Sequence, residues 1–236
     1  MLKFAHRGAS GYAPENTMAA IKKAVEMGTK ALEIDVQLTR DRKLVVIHDY
    51  DLKRTTNGRG FIMNKSLEKL KTLDAGSWYG KEYKGEPLPT LEEVFEGIPE
   101  DILVNIELKK FVMDKRNMTA EVLEVIKKYD VWDRVIISSF DHRLLERVRE
   151  VSEKIKIGLL FDKRKDNLKE YHLLDKLKPY SIHINAKYID GEQLRELKGL
   201  PYKIYSYTIN EFTVAEKYEK HGLNGYFTDY PDIEER

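Results

Sequence analysis

The chain contains no cysteine, so disulfides, thiolate nucleophiles and cysteine-held zinc are excluded. It has no excess of either charge: 41 Lys and Arg face 40 Asp and Glu, a formal net charge of +1. A field so balanced does not, as a whole, attract nucleic acid or an acidic membrane. No apolar run approaches the roughly 18 residues of a membrane span. The start, "MLKFAHRG", is too short and too polar for a secretion signal. These absences lead to the expectation of a soluble, cytoplasmic protein with no transmembrane segment and no nucleic-acid partner. Glutamine is confined to Gln37 and Gln193 while Lys, Glu and Arg abound, a composition that accompanies heat adaptation. Glycine-rich phosphate loops of the GxGxxG or GxxxxGK kind are missing, which counts against a doubly wound nucleotide-binding sheet, the structural runner-up.

What is present is rhythm. The 236 residues can bury a real core, as one large α/β barrel or two small domains. Short β-branched runs ("LKFAH", "KALEIDV", "DILVNIEL", "RVIISSF", "KIGLLF", "YSIHIN", "YKIYSYT", "GYFT") alternate with amphipathic helical patterns. Helices are expected over about Asn16 to Met27, from Thr90, and over Thr119 to Lys128, Asp141 to Val151, Leu168 to Leu177, Glu192 to Leu197 and Glu211 to His221. Gly28 is suited to close the first, and Thr90 with Glu93 forms a capping box. Eight strands with helices between them predict a (β/α)8 TIM barrel. No repeat, low-complexity tract or linker marks a boundary, so residues 1–236 are expected to form one domain.

Two segments break the rhythm. "VQLTRDRKLVVIHD" has two alternating arms around Arg40 and Asp41, which predicts a β-hairpin extending strand 2. Residues 51–89, rich in Gly, Lys and Tyr, are too long for a plain loop and predict an insertion over one end of the barrel.

Strand parity then selects side chains. In "ALEIDVQ", Glu33 and Asp35 share one face and Leu32, Ile34 and Val36 the other. In "LVNIELKK", Asn105, Glu107 and Lys109 share a face opposite Val104, Ile106 and Leu108. With the apolar sets against the helices, three carboxylates and a lysine point inward near the strands' C-terminal ends, where barrel enzymes keep their sites. Bare carboxylates so close would raise one another's pKa. A hard divalent cation, Mg²⁺ or Ca²⁺, resolves that conflict; the competing view is a charged, solvated rim. A turn near Arg40 and Asp41 returns His48 beside Glu33 and Asp35. His6 ends the adjacent strand. Two histidines meeting three carboxylates read as a general acid/base pair. Arg7 follows at the strand tip, and Gly8 allows a sharp turn or close approach to a ligand. Asn16 and Thr17 are expected to cap a helix whose N-terminal N–H groups face an anion, or simply to cap it. Three carboxylates, one divalent cation, Arg7 and Lys109 leave a single positive charge, which complements a phosphodiester.

"HRGASGYAPENT", "ALEIDVQLTRDRKLVVIHDYDLKRTTNGRG", "LPTLEEV", "NIELK", "SSFD" and "GYFTDYPD" together resemble the glycerophosphodiester phosphodiesterase family, in order from residue 4 to residue 232. The resemblance implies a TIM barrel with a small insertion and a divalent ion (Mg²⁺, Ca²⁺ or Mn²⁺) on Glu33, Asp35 and Glu107. It implies His6 and His48 as acid and base, and Arg7 and Lys109 on the phosphate of a small-molecule glycerophosphodiester. The products implied are glycerol 3-phosphate and an alcohol, by direct hydrolysis or through a cyclic phosphate. Two alternatives stay open: lysophospholipase D activity at the same site, and a non-catalytic barrel that binds phosphorylated ligands. Arg42 stands where the family often has glycine in the hairpin turn. Tyr207 stands where it has tryptophan, and either lines the alcohol end of the pocket or fills the barrel. Tyr230 stands where it often has arginine, a change expected at the surface. No feature sets an oligomeric state.

Other conspicuous residues are expected to be bland. His183 shares a face with Ser181 and Asn185 and is expected as a hydrogen-bonded barrel residue. His142, His172 and His221 are expected on exposed helix faces, and "DKRKD" at 162–166 as a loop charge run. Trp78 and Tyr79 either floor the site or, preferably, bury the insertion's own core; with Tyr83 they are the expected contacts for a lipid tail.

Overall fold

In the computed structural model, which describes residues 1–162 and 171–235, the first apolar run forms β1 (Leu2–His6). It is hydrogen-bonded to β2 (Ala31–Leu38) on one side and to the last strand, β9 (Gly225–Thr228), on the other. Between them run β4 (Leu103–Leu108), β5 (Val135–Ser139), β6 (Lys156–Phe161), β7 (Ser181–Asn185) and β8 (Lys203–Tyr207), all parallel to their neighbours. Pairing of β1 with both ends closes the sheet. The eight-stranded parallel barrel expected from the sequence therefore forms.

Helices α1 (Met18–Glu26), α3 (Leu91–Gly97), α4 (Thr119–Lys128), α5 (His142–Val151), α6 (Leu173–Leu177), α7 (Gly191–Leu197) and α8 (Phe212–Lys220) connect the strands. Their starts follow local chemistry. Thr17 Oγ1 accepts from the Ala20 N–H, and Thr90 and Glu93 exchange both bonds of a capping box. Gly28 has φ 76°, so it ends α1 without strain. The helix expected over 168–177 is seen as Leu173–Leu177; its first three residues, and all of "DKRKD" but Asp162, lie outside the described residues.

Burial obeys strand parity. Leu32, Ile34, Val36, Val104, Ile106 and Leu108 are buried in the layer between barrel and helices. Facing inward, Phe4, Ala31, Ile136, Tyr205 and Phe227 pack an apolar floor. Along β1, β2 and β4 the inward positions change from apolar to polar toward the C-terminal end: Phe4 then His6, Ala31 then Glu33 and Asp35, Leu103 then Asn105 and Glu107.

The short strand β3 (Leu44–Val46) pairs antiparallel with β2, with Val36 opposite Val46 and Leu38 opposite Leu44. At the turn Arg42 adopts φ 59°, a left-handed conformation that glycine takes more readily. Residues 51–89 then fold over one side around Leu52, Ile62, Leu70, Ala75 and Leu88, packed on Val45 and Ile47, with α2 (Leu67–Lys71) as their one α-helix. Trp78 does not enter that cluster. It is exposed, its Nε1–H donating to the Ala75 carbonyl, with Tyr79 packed edge-on against it and Tyr83 edge-on against Tyr79. The preferred assignment of these aromatics is thus corrected: aliphatic side chains fit the small space under the insertion, and the rings lie over its edge.

Candidate active site

His6 is the last residue of β1, and Arg7 after it turns through φ 58°. That turn points the Arg7 N–H at Glu33 Oε2 (3.0 Å) and its Nε toward Asp35 Oδ2 (3.2 Å). Gly8 has φ 82°, and a Cβ there would lie 2.6–2.8 Å from Ala20. Its close approach is to α1, not to a ligand. Asn16 is not the helix cap; Thr17 is. Asn16 has φ 57°, its amide donates to Asp35 Oδ2 (2.8 Å), and its carbonyl accepts from the Asp35 N–H. The N-terminal amides of α1 are also spoken for: Ala19 N–H donates to Glu86 Oε1 from the insertion (3.0 Å). The expected anion site at that helix is therefore filled by a carboxylate of the chain itself.

Glu33, Asp35 and Glu107 converge as the strand parity predicts. Asp35 and Glu107 are register partners across β2 and β4. One carboxylate oxygen from each of the three lies within 4.8 Å of the others. Two oxygens bound to one Ca²⁺ at about 2.4 Å each are at most about 4.8 Å apart, so the spacing suits a shared divalent ion. Asp35 Oδ1 is buried without a hydrogen-bond donor, an acceptor with capacity to spare. Electrostatics say the same. Burial, then repulsion from Asp35 and Glu107, pushes Glu33 well above the carboxylate range. Burial, opposed by Lys109 and reinforced by Asp35, raises Glu107 to about 7. Burial also works against the Asp35 carboxylate, but Arg7, Lys109 and His48 outweigh it and hold it at about 2. This donor set is hard, acidic and crowded, and it fits Mg²⁺, Ca²⁺ or Mn²⁺. Lys109 Nζ lies 2.9 Å from Glu107 Oε1 and 3.7 Å from Asp35 Oδ1.

The two histidines line the same chamber, about 120 Å³, with Arg7, Glu33, Glu107 and Lys109. Each is held through Nδ1 by an aspartate that the sequence reading missed. His6 Nδ1 is 2.7 Å from Asp229 Oδ1, and its Nε2 lies 4.0 Å from Glu33 Oε2. Ser10 and Asn210 also donate to Asp229, at 3.0 and 2.7 Å. Burial opposes the Asp229 charge, but its bond to His6 brings it to about 2. His48 Nδ1 is 2.6 Å from Asp49 Oδ1. Burial lowers the His48 pKa, with the nearby cations Arg7 and Lys109 adding to it and Asp35 opposing. Behind it, the Gln37 amide donates to the carbonyls of Ile47, His48 and Asp49 and fixes the returning arm. Arg54 forms paired bonds to Asp49 (2.7 and 2.9 Å) and to Glu15 (2.6 and 2.8 Å), and Glu15 in turn accepts from Arg7 Nη1. A chain of alternating charges thus links both histidine-bearing loops.

The opposite wall is apolar: Phe140, Leu160, Tyr207 and Phe227. Tyr207 both lines the chamber and donates its hydroxyl to the Phe161 carbonyl (2.8 Å). His183 is fully buried between Tyr205 and Phe227 and bonded through Nε2 to Ser181 (2.8 Å). Burial lowers its pKa to about 3, so it is neutral. His142 corrects the expectation of exposure: it is half-buried, bonded to Tyr171 and the Leu160 carbonyl. His221 is half-buried beside Arg195, and only His172 is exposed. Tyr230 is no bare surface change either; it packs edge-on against Tyr12 at 5.5 Å and fills the space beside Gly11.

Comparison with known proteins agrees with this geometry. Residues 6–233 match the model of the "Glycerophosphoryl diester phosphodiesterase family". A glycerophosphodiester phosphodiesterase of Caldanaerobacter subterraneus subsp. tengcongensis is 41% identical, over 98% of this chain and 95% of its own. An Oleispira antarctica phosphodiesterase, solved with the product sn-glycerol-3-phosphate, superposes with a TM-score of 0.93 at 36% identity, covering 100% of this chain and 96% of that one. The Thermotoga maritima glycerophosphodiester phosphodiesterase superposes with a TM-score of 0.79 at 31% identity, covering 100% and 98%.

Proposed function

The chain belongs to the glycerophosphoryl diester phosphodiesterase family and is a phosphoric diester hydrolase; from that premise we propose that it hydrolyses glycerophosphodiesters to glycerol 3-phosphate and an alcohol. Glu33, Asp35 and Glu107 would hold a divalent cation. That ion, when bound, supplies positive charge against the phosphoryl oxygens.

The chain's own groups do the rest. Arg7 and Lys109, both cationic at the chamber wall, orient the phosphodiester and offset charge as the transition state forms. One imidazole takes a proton from the attacking oxygen while the other gives one to the departing alkoxide; a P–O bond forms and the P–O bond to the alcohol breaks. The nucleophile is water, or the neighbouring glycerol hydroxyl followed by water. Asp229 and Asp49 fix each ring through Nδ1, which leaves Nε2 as the working nitrogen. Asn16 holds Asp35, and Tyr207 supplies an apolar face for the organic part of the substrate.

The observation that carries the proposal is the convergence of two aspartate-anchored histidines on one chamber with three crowded carboxylates. The test is turnover of glycerophosphocholine that vanishes with a chelator and returns with Mg²⁺, Ca²⁺ or Mn²⁺. Binding of glycerol 3-phosphate with no turnover of any glycerophosphodiester would instead identify a non-catalytic barrel. A marked preference for lysophosphatidylcholine over glycerophosphocholine would reassign the enzyme as a lysophospholipase D.

A further inference from the structure

Beside the chamber lies an outer cleft of about 340 Å³, which shares Glu107, Lys109 and Phe140 with it. Its lip is apolar where a soluble protein is normally polar. In the loop after β4, Val112 is 87% exposed and Met113 73%. Phe61, from the insertion, is exposed and stacks on Phe111 at 5.1 Å. Phe111 also packs against Tyr50 at 5.2 Å, and exposed Phe140 lines the cleft together with Tyr50 and Val112. Scattered apolar side chains need no explanation, but a contiguous group at a functional opening does. Three separate segments build this ridge, and its rings support one another.

The charges around it lean positive. Arg59 and Lys65 flank Phe61, the latter lying against Gly60, and Lys110 and Lys115 bracket Phe111, Val112 and Met113. None of these four cations has an ion-pair partner among the described residues. The acids of the same loops are engaged: Asp114 with Arg116 at 2.7 Å and Asp141 with Arg143 at 2.8 Å. Asp51, also on the insertion, accepts from the Lys53 N–H. Lys110 also acts across space on Asp114 and Asp141 without closing an ion pair, and the cations of these loops outnumber their acids around the apolar ridge.

We propose that this ridge seats the mouth of the enzyme on an anionic lipid surface. Phe61, Val112 and Met113 enter the boundary between headgroups and acyl chains, while Arg59, Lys65, Lys110 and Lys115 face lipid phosphates. A second copy of the chain is the poorer occupant, because a symmetric pairing through this ridge sets four cations against four. The surface contact is separate from hydrolysis in the chamber, and each is measured on its own.

The experiment is co-sedimentation of the full chain with phosphatidylcholine vesicles with and without phosphatidylglycerol. Binding is expected to be roughly tenfold stronger to the vesicles that contain phosphatidylglycerol and to weaken with salt. The double variant Met113→Asp, Lys115→Glu is expected to lose roughly tenfold or more of that binding. It should hydrolyse soluble glycerophosphocholine within about twofold of the parent, since both positions are surface sites outside the chamber. Three outcomes overturn the proposal: no binding of the parent to the anionic vesicles, equal binding of parent and variant, or lipid-free self-association of the parent that the variant abolishes.

Discussion

The two walls of the chamber are built from the same barrel by the same alternation, yet one is charged and the other is largely apolar, its one histidine buried and neutral. The wall from β1, β2 and β4 carries His6, Glu33, Asn105 and Glu107. The wall from β6 to β9 carries Leu160, His183, Tyr207 and Phe227. The charged wall is held against its own repulsion by cations and by loops from elsewhere; the apolar wall is held by packing. The proposed chemistry therefore falls on one half of the barrel, and the other half shapes the space. Low dielectric on the far side strengthens every charge interaction on the near side.

Substitutions that respect this division should differ in size. The largest effect is expected on the charged side: His6→Ala or His48→Ala should lower kcat by about 10²–10⁴ with circular dichroism unchanged. A loss below about tenfold in either variant would remove that ring from proton transfer. Next comes the anchor behind one ring. Asp229→Asn should cost about 10- to 100-fold in kcat with metal titration unaltered, because it loosens His6 without touching the triad.

The triad itself should show a pH signature. Glu107 without an ion keeps its proton up to about 7, against an ordinary value of 4.5. A carboxyl with a raised folded-state pKa stabilises the metal-free fold below about 4.5 and loses that contribution as pH rises toward 7. An entering cation must displace the same proton, so apparent metal affinity should fall as pH drops below about 7. Calorimetric titrations across that range test both signs. Glu107→Gln should weaken metal binding more than Asn105→Ala, whose amide donates to Ser138 instead; equal titrations of the two would break the distinction.

The smallest effect belongs to the apolar wall. Tyr207→Phe keeps the ring and loses one hydrogen bond to the Phe161 carbonyl, so about 1 kcal/mol of stability and a few-fold change in KM are expected. A kcat loss as large as that of His48→Ala would place chemistry on this wall too.

Strand alternation made Glu33, Asp35 and Glu107 legible in the sequence because parity in a strand is a fixed geometric rule. Helix starts at Thr90 and closure at Gly28 were legible for a similar reason, since capping is local. Asp229 was not, although "GYFTDYPD" was conspicuous, because only closure of the barrel brings residue 229 to residue 6. Asp49 was nearer to hand, standing directly after His48. The role of Asn16 was misread because a cap and a loop residue in left-handed conformation use the same amino acids. Trp78 and His142 failed for another reason: composition says which side chains prefer burial, not which of several neighbours finds the space.

The hydrogen bond between His6 and Asp229 joins residues 223 apart in sequence. The ring carried on β1 is thus seated by the loop after β9, which reaches it only when the barrel closes. A chain with every carboxylate and both imidazoles in place still lacks a seated His6 until β9 docks against β1. Undocking of β9 alone would therefore release a ring that is carried on β1.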